Sequence, residues 1–156
     1  MFTEEAVDIS RLDRSKFDLI TRFYDEMRSE DFAMPNAIDR FIPWLMFCSY
    51  SNHLEYAPRI LRIGSESSQR PVFGEDWANK IISREKTPDI KMEKRSAEAY
   101  EQAAEEGFSA HSSEGIVMTD FGLKHIAFKR LIVAPQLPNG AKLFCVAGVL
   151  ECQRLQ

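Results

Sequence analysis

The chain has 156 residues, 44% hydrophobic and 28% charged, with a net charge of −4 and a pI near 5.5. That is the length of one domain with an added arm, in ordinary globular composition. It carries no basic stripe for nucleic acid and no apolar run near the ~20 residues needed to span a bilayer; its acidic opening, MFTEEAVDIS, lacks a hydrophobic signal core, so a cytoplasmic location is expected.

The first helical pattern covers Ser10–Ser29. Ser15-Lys16-Phe17-Asp18 resembles a capping box. Phe17, Ile20, Tyr24 and Met27 then recur at helical spacing, widened by Leu19 and Phe23. That stripe has to be buried, either against this chain or against a second copy of it. Ser29–Asn36 breaks the pattern at Pro35, and Ala37–Phe41 reads as a short helical turn before Pro43. Trp44–Tyr50 is a strand apolar on both faces, and Ser51-Asn52-His53 a turn. Glu55–Ile63 is a second strand, put at an edge or a bulge by Pro58.

After Gly64 the strand pattern stops. Pro71–Ile82 reads as short helical turns carrying Val72, Phe73, Trp77, Ile81 and Ile82. Ser83–Lys91 is a charged connector interrupted by Pro88, expected to be a mobile loop. Met92–Glu106 is the clearest helix, with Met92, Ser96, Tyr100 and Ala103 on one face and Gly107 as its stop. The Glu98, Glu101, Glu105 series reads as its solvated side. Phe108–Thr119 is a third strand, polar in its first half.

Phe121–Leu150 follows as a long antiparallel hairpin turned over Pro135–Gly140, where Asn139-Gly140 tolerates the positive φ of a reversal. The order of strands, helical block and strands implies an α+β fold with an antiparallel sheet. In the last strand Leu143, Cys145, Ala147 and Val149 lie on one side, and Phe144, Val146 and Leu150 on the other. Both faces must then be covered. The helical block covers one, and the N-terminal helix covers the other. Residues 1–30 form a helical arm on a domain of residues 31–156. The three cysteines, Cys48, Cys145 and Cys152, lie in or beside apolar runs and read as buried thiols. No CxxC pair supports a zinc or redox motif.

These elements resemble a PAS domain, a five-stranded antiparallel sheet with helices inserted after the second strand. More narrowly, they are similar to a single-domain PAS group found mainly in alphaproteobacteria. Arg22–Arg28 with Met34-Pro35 and Ile38–Leu45 is similar to that group's entry segment. Arg59–Ser65, Phe73-Gly74-Glu75-Asp76 and Phe128–Pro135 with Asn139-Gly140 match later motifs. The likeness spans roughly residues 17–151. Departures fall at Asn79, where the group tends to have Gly, and at Asn36 and Ala37.

The resemblance implies a non-catalytic sensory or interaction module. It would dimerise through Phe17, Ile20, Tyr24 and Met27, and bind a small apolar molecule between sheet and helices, with Arg62, Trp77, Tyr100 and His125 at the pocket. Haem is not expected, because Met92–Glu106 holds no His. Flavin photochemistry is not expected either, because residues 65–106 hold no Cys. No metal ligands are assigned. No kinase, cyclase or DNA-binding domain is expected after the last strand, so any output would pass through a signalling partner in trans or through the N-terminal helix. Arg130 is read as half of an ion pair across the sheet. The rival is a small α+β isomerase or hydratase with a cone-shaped pocket, whose general base would be Asp76 or His125. His111-Ser-Ser-Glu holds hydrolase-type residues, but no nucleophile elbow accompanies it.

Overall fold

A computed structural model describes residues 2–34 and 36–156; the break expected at Pro35 lies outside them. The described residues form an α+β fold. Its antiparallel sheet is ordered β1-β4-β5-β6-β2-β3. The strands are β1 (Phe2–Ala6), β2 (Leu45–Ser49), β3 (Ile60–Ile63), β4 (Phe108–Thr119), β5 (Gly122–Val133) and β6 (Leu143–Leu155). The helices are α1 (Asp18–Ser29), α2 (Gln69–Phe73), α3 (Glu75–Asn79), α4 (Ile81–Arg84) and α5 (Ile90–Glu106). No helix among the described residues is long and apolar enough to cross a membrane.

The sheet has six strands where five were expected. The additional one is β1, which lies antiparallel along the outer edge of β4, with Glu4 opposite Ser113. Its sequence, Phe-Thr-Glu-Glu-Ala, is too acidic to read as a strand from composition. Edge pairing supplies the backbone bonds that composition did not suggest.

The two parities of β6 part as its sequence requires. Phe144 and Val146 enter an inner core with Ile126, Ile132, Trp77 and Tyr100. Cys145 and Ala147 enter an outer core with Leu131, Val133, Phe17 just before α1, and the α1 residues Ile20, Phe23 and Met27. Helix α1 therefore covers the outer face of its own sheet. Phe17 is 4% exposed, Ile20 1% and Met27 0%, so the surface expected to face a second copy is already used within the chain; Tyr24 packs edge-on against Phe108. Burying each such side chain is worth roughly 1.5–3 kcal/mol, which favours docking in cis.

Helix α1 begins at Asp18, later than its apolar pattern suggested. Asp13 Oδ1 accepts from the Ser15 amide at 2.9 Å and the Ser15 hydroxyl at 2.7 Å. Ser15 thus closes a turn rather than a capping box. Helix α5 is capped by Asp89, whose Oδ1 accepts from the Met92 amide at 2.8 Å, and ends at Gly107 with φ 92°. An L side chain rarely adopts that angle, which is why the stop falls on Gly.

The segment expected to be a mobile connector, Ser83–Lys91, is tied at several points. Trp77 Nε1 donates to Lys86 O at 2.9 Å, the Ile60 amide donates to Glu85 O at 2.8 Å, and Asp89 Oδ2 accepts from the Met118 amide at 2.6 Å. Helix α2 is held to the sheet by Lys124, whose Nζ donates to Pro71 O at 3.0 Å and Val72 O at 2.8 Å. Pro58 lies two residues before the edge strand β3, and a register shift falls between Phe47 and Cys48 in its partner β2. Beyond the reach of α1, the outer face is open, and the apolar side chains of Ile116, Met118 and Leu123 are exposed there.

Candidate functional site

The inner sheet face and the helical layer form a partly open cavity of about 40 Å³. On that measure one water takes roughly 10–15 Å³, so the space suits ~3 waters or a small organic molecule. Its apolar wall includes Met46, Ile60, Val72, Ile126, Phe128 and Leu150. Strands contribute every second side chain to it, and α5 contributes Met92, Glu93, Ser96 and Tyr100 through i, i+3, i+4 spacing.

Three buried polar atoms on this wall lack a hydrogen-bond partner among the described residues: Glu93 Oε2, Ser96 Oγ and Arg130 Nε. Such groups are rare in folded chains, and each requires an explanation. Glu93 and Arg130 are each held elsewhere by their other atoms. Glu93 Oε1 accepts from the Thr87 amide and hydroxyl, both at 2.8 Å. Arg130 Nη2 pairs with Glu4 Oε1 of β1, and its guanidinium lies 5.4 Å from the Tyr100 ring centre and 5.8 Å from that of Phe128. Ser96 is 2% exposed.

Burial pushes the Glu93 carboxyl up from its ordinary range, against the Thr87 bonds and the nearby cations Lys86 and Arg130. Burial likewise holds His111 below the ordinary imidazole value; Glu4 opposes that effect and Arg130 reinforces it. Tyr100 is raised well above the usual phenol range by burial.

Of the residues expected at a pocket, only Tyr100 lines this cavity. Arg62 is exposed on the edge strand β3, because the register shift sets Ile60 opposite Cys48 and Ile63 opposite Met46, all in the inner core, and leaves Arg62 opposite Phe47 on the other face. Trp77 is 1% exposed in the inner core, with its indole N–H spent on Lys86 O. His125 lies opposite Ile116, on the outer face. There Nε2 is 3.4 Å from Glu114 Oε2, and Nδ1 is 4.0 Å from Cys152 Sγ. The reading of all three cysteines as buried is corrected here. Cys48 and Cys145 are buried, but Cys152 is exposed, because β6 runs on past the cover that α1 provides.

Sequence reasoning missed Glu93. Its signal was its place three residues before Ser96, next to the helix face already assigned inward. Neither of the two residues considered as a general base for an enzyme lines this cavity. Asp76 is exposed on α3, 3.0 Å from Lys80 and 3.5 Å from Arg84, while His125 lies on the opposite side of the sheet. Among the described residues no group of three or more His, Cys, Asp or Glu is placed to hold a metal ion.

Fold and cavity together define a class: an α+β protein whose antiparallel sheet and inserted helices form a small, mainly apolar site. No family model matches the chain, and no curated protein or solved structure matches it either.

Proposed function

We propose that this chain is a non-catalytic sensory or interaction module of the PAS type, which responds to a small molecule held between sheet and helices. One observation carries the ligand-binding part: three unpartnered, buried polar atoms on the wall of one mainly apolar cavity. Ligand sites combine an apolar lining with a few convergent polar groups in this way. The element order supports the PAS part. Strands β2 and β3 precede the helical block α2–α5, and β4–β6 follow it. Homodimerisation through Phe17, Ile20, Tyr24 and Met27 is not carried forward, because α1 spends three of these four side chains inside the chain.

Native mass spectrometry of freshly purified protein, with thermal shifts against a small-molecule library, tests the reading. Retained mass or a ligand-dependent rise in melting temperature supports it. Binding that survives Ser96→Leu, a substitution that fills the cavity, would count against this site.

A further inference from the structure

Deepening that reading, and resting on it, we infer that the cavity takes a short aliphatic ligand with a neutral carboxamide-like head, carrying one acceptor oxygen beside an N–H donor. Arg130 Nε is a donor without an acceptor, Glu93 Oε2 is a carboxyl oxygen without a donor, and the Ser96 hydroxyl serves as either. All three belong to residues lining the same cavity. An amide oxygen accepts from Arg130. The amide nitrogen carries two hydrogens, one for Glu93 and one for Ser96. One head group then partners every orphan.

Charge excludes the obvious competitors. Arg130 is already balanced by Glu4, with both side chains almost wholly buried. The nearby cation Lys86 stands to Glu93 as Glu4 does to Arg130, so the charged side chains of the site already sum to no net charge. A carboxylate or an alkylammonium would add a charge with no partner left for it, which is costly away from bulk water. A neutral head adds none. The apolar wall of Ile60, Val72, Ile126 and Leu150 suits a short aliphatic group: the free space of about 40 Å³ takes the amide head and the first carbon, and the pocket is open enough for a small branch to reach its mouth.

The test uses three probes with one carbon skeleton: isobutyramide, isobutyrate and isobutylamine. Each is titrated into the 15N-labelled full chain at pH 7.5 and pH 5.5 and followed by amide chemical shifts. Isobutyramide is expected to bind tightest at both pH values, with shifts at α5 and β5. Ser96→Ala removes a hydroxyl that has no partner, so the fold is retained, and affinity for the amide is expected to fall about tenfold. Tighter binding of isobutyrate or isobutylamine would overturn the ligand class while leaving the site in place. No binding by any probe, together with a high-resolution crystal structure in which ordered waters alone satisfy the three atoms, would overturn both the inference and the ligand-site reading.

Discussion

Arg130, in the middle of β5, pairs with Glu4 on the edge strand β1, and the two side chains are 5% and 7% exposed. This contact spans 126 residues of sequence and passes over β4, whose Ser113 hydroxyl also meets Glu4 Oε1, at 3.2 Å. The pair fastens the added strand to the wall of the cavity. Removing one partner leaves the other charge buried alone, which costs about 3–5 kcal/mol. Glu4→Ala is expected to lower unfolding free energy by that order, measured by urea denaturation. Glu4→Ala with Arg130→Met should recover part of the loss. Full stability in the single variant would show that the pair is not formed.

Phe17→Asp distinguishes a helix packed in cis from one shared between copies. Phe17 is 4% exposed in the outer core, with Lys129 Nζ 4.8 Å from its ring centre. An aspartate there loses the apolar burial and desolvates a charge, so a destabilisation of about 3 kcal/mol or more is expected. The readout is the melting temperature together with mass by light scattering. A folded variant of unchanged stability and halved mass would contradict the cis arrangement.

Gly64 is confined by its neighbours rather than by its φ angle. A Cβ at this position would lie 2.3 Å from Pro43 O and 2.4 Å from Ile42 O. Those are backbone atoms that cannot swing away, and Arg70 Nε holds Gly64 O from the other side at 2.8 Å. Gly64→Ala is expected to cost about 2 kcal/mol or more, seen as a lower denaturation midpoint. A midpoint equal to that of the parent chain would show that this close approach is not real.

The buried Glu93 makes a signed prediction about pH. Its folded pKa lies above the ordinary glutamate value of 4.5, so the folded state holds its proton more tightly than the unfolded chain does. Stability from this group is fully present below 4.5 and is lost as pH rises through the folded value. His111 acts in the opposite direction. Its folded value lies below 6.5, so its contribution is present above 6.5 and lost as pH falls. Glu93→Gln removes the first effect. Relative to the parent, the variant is expected to gain stability at pH 7.5 compared with pH 4.5, by equilibrium unfolding at both. An unchanged difference between the two pH values would mean that Glu93 titrates normally.

The three thiols should separate by accessibility. Burial pushes the Cys48 thiol up to about 12, and Cys145 is raised further by the same cause, so neither forms thiolate at neutral pH. Cys152 is exposed. Iodoacetamide at pH 8 is expected to modify Cys152 alone in the folded chain, and all three in denaturant, as read by peptide mass mapping. Modification of Cys48 under native conditions would show that the inner core opens.

The legible parts of this fold were those with one dominant local signal. Helix α5 announced itself by alanines and Gly107, and β6 by the split of Cys145 and Ala147 from Phe144 and Val146. Strand β1 was not legible, because Glu4 breaks the apolar rule for an inward position and is accepted there through Arg130 and Ser113. The site was half legible. Ser96 and Tyr100 were assigned to an inward face, but Arg62, Trp77 and His125 were not where single-residue chemistry put them. Each is a polar or amphipathic side chain, and its destination depends on register and on which face a neighbouring element covers.

The sequence by itself determined the order of elements, the antiparallel α+β architecture and the need for cover on both sheet faces, since these follow from periodicity and turn chemistry along the chain. Only the tertiary structure decided that α1 covers its own sheet, that β1 closes the edge, and that Glu93, Ser96 and Arg130 meet at one cavity. The reason is physical. An apolar stripe states that it must be buried but not against what, and a polar side chain acquires its role from partners that may stand 126 residues away, as Glu4 does from Arg130.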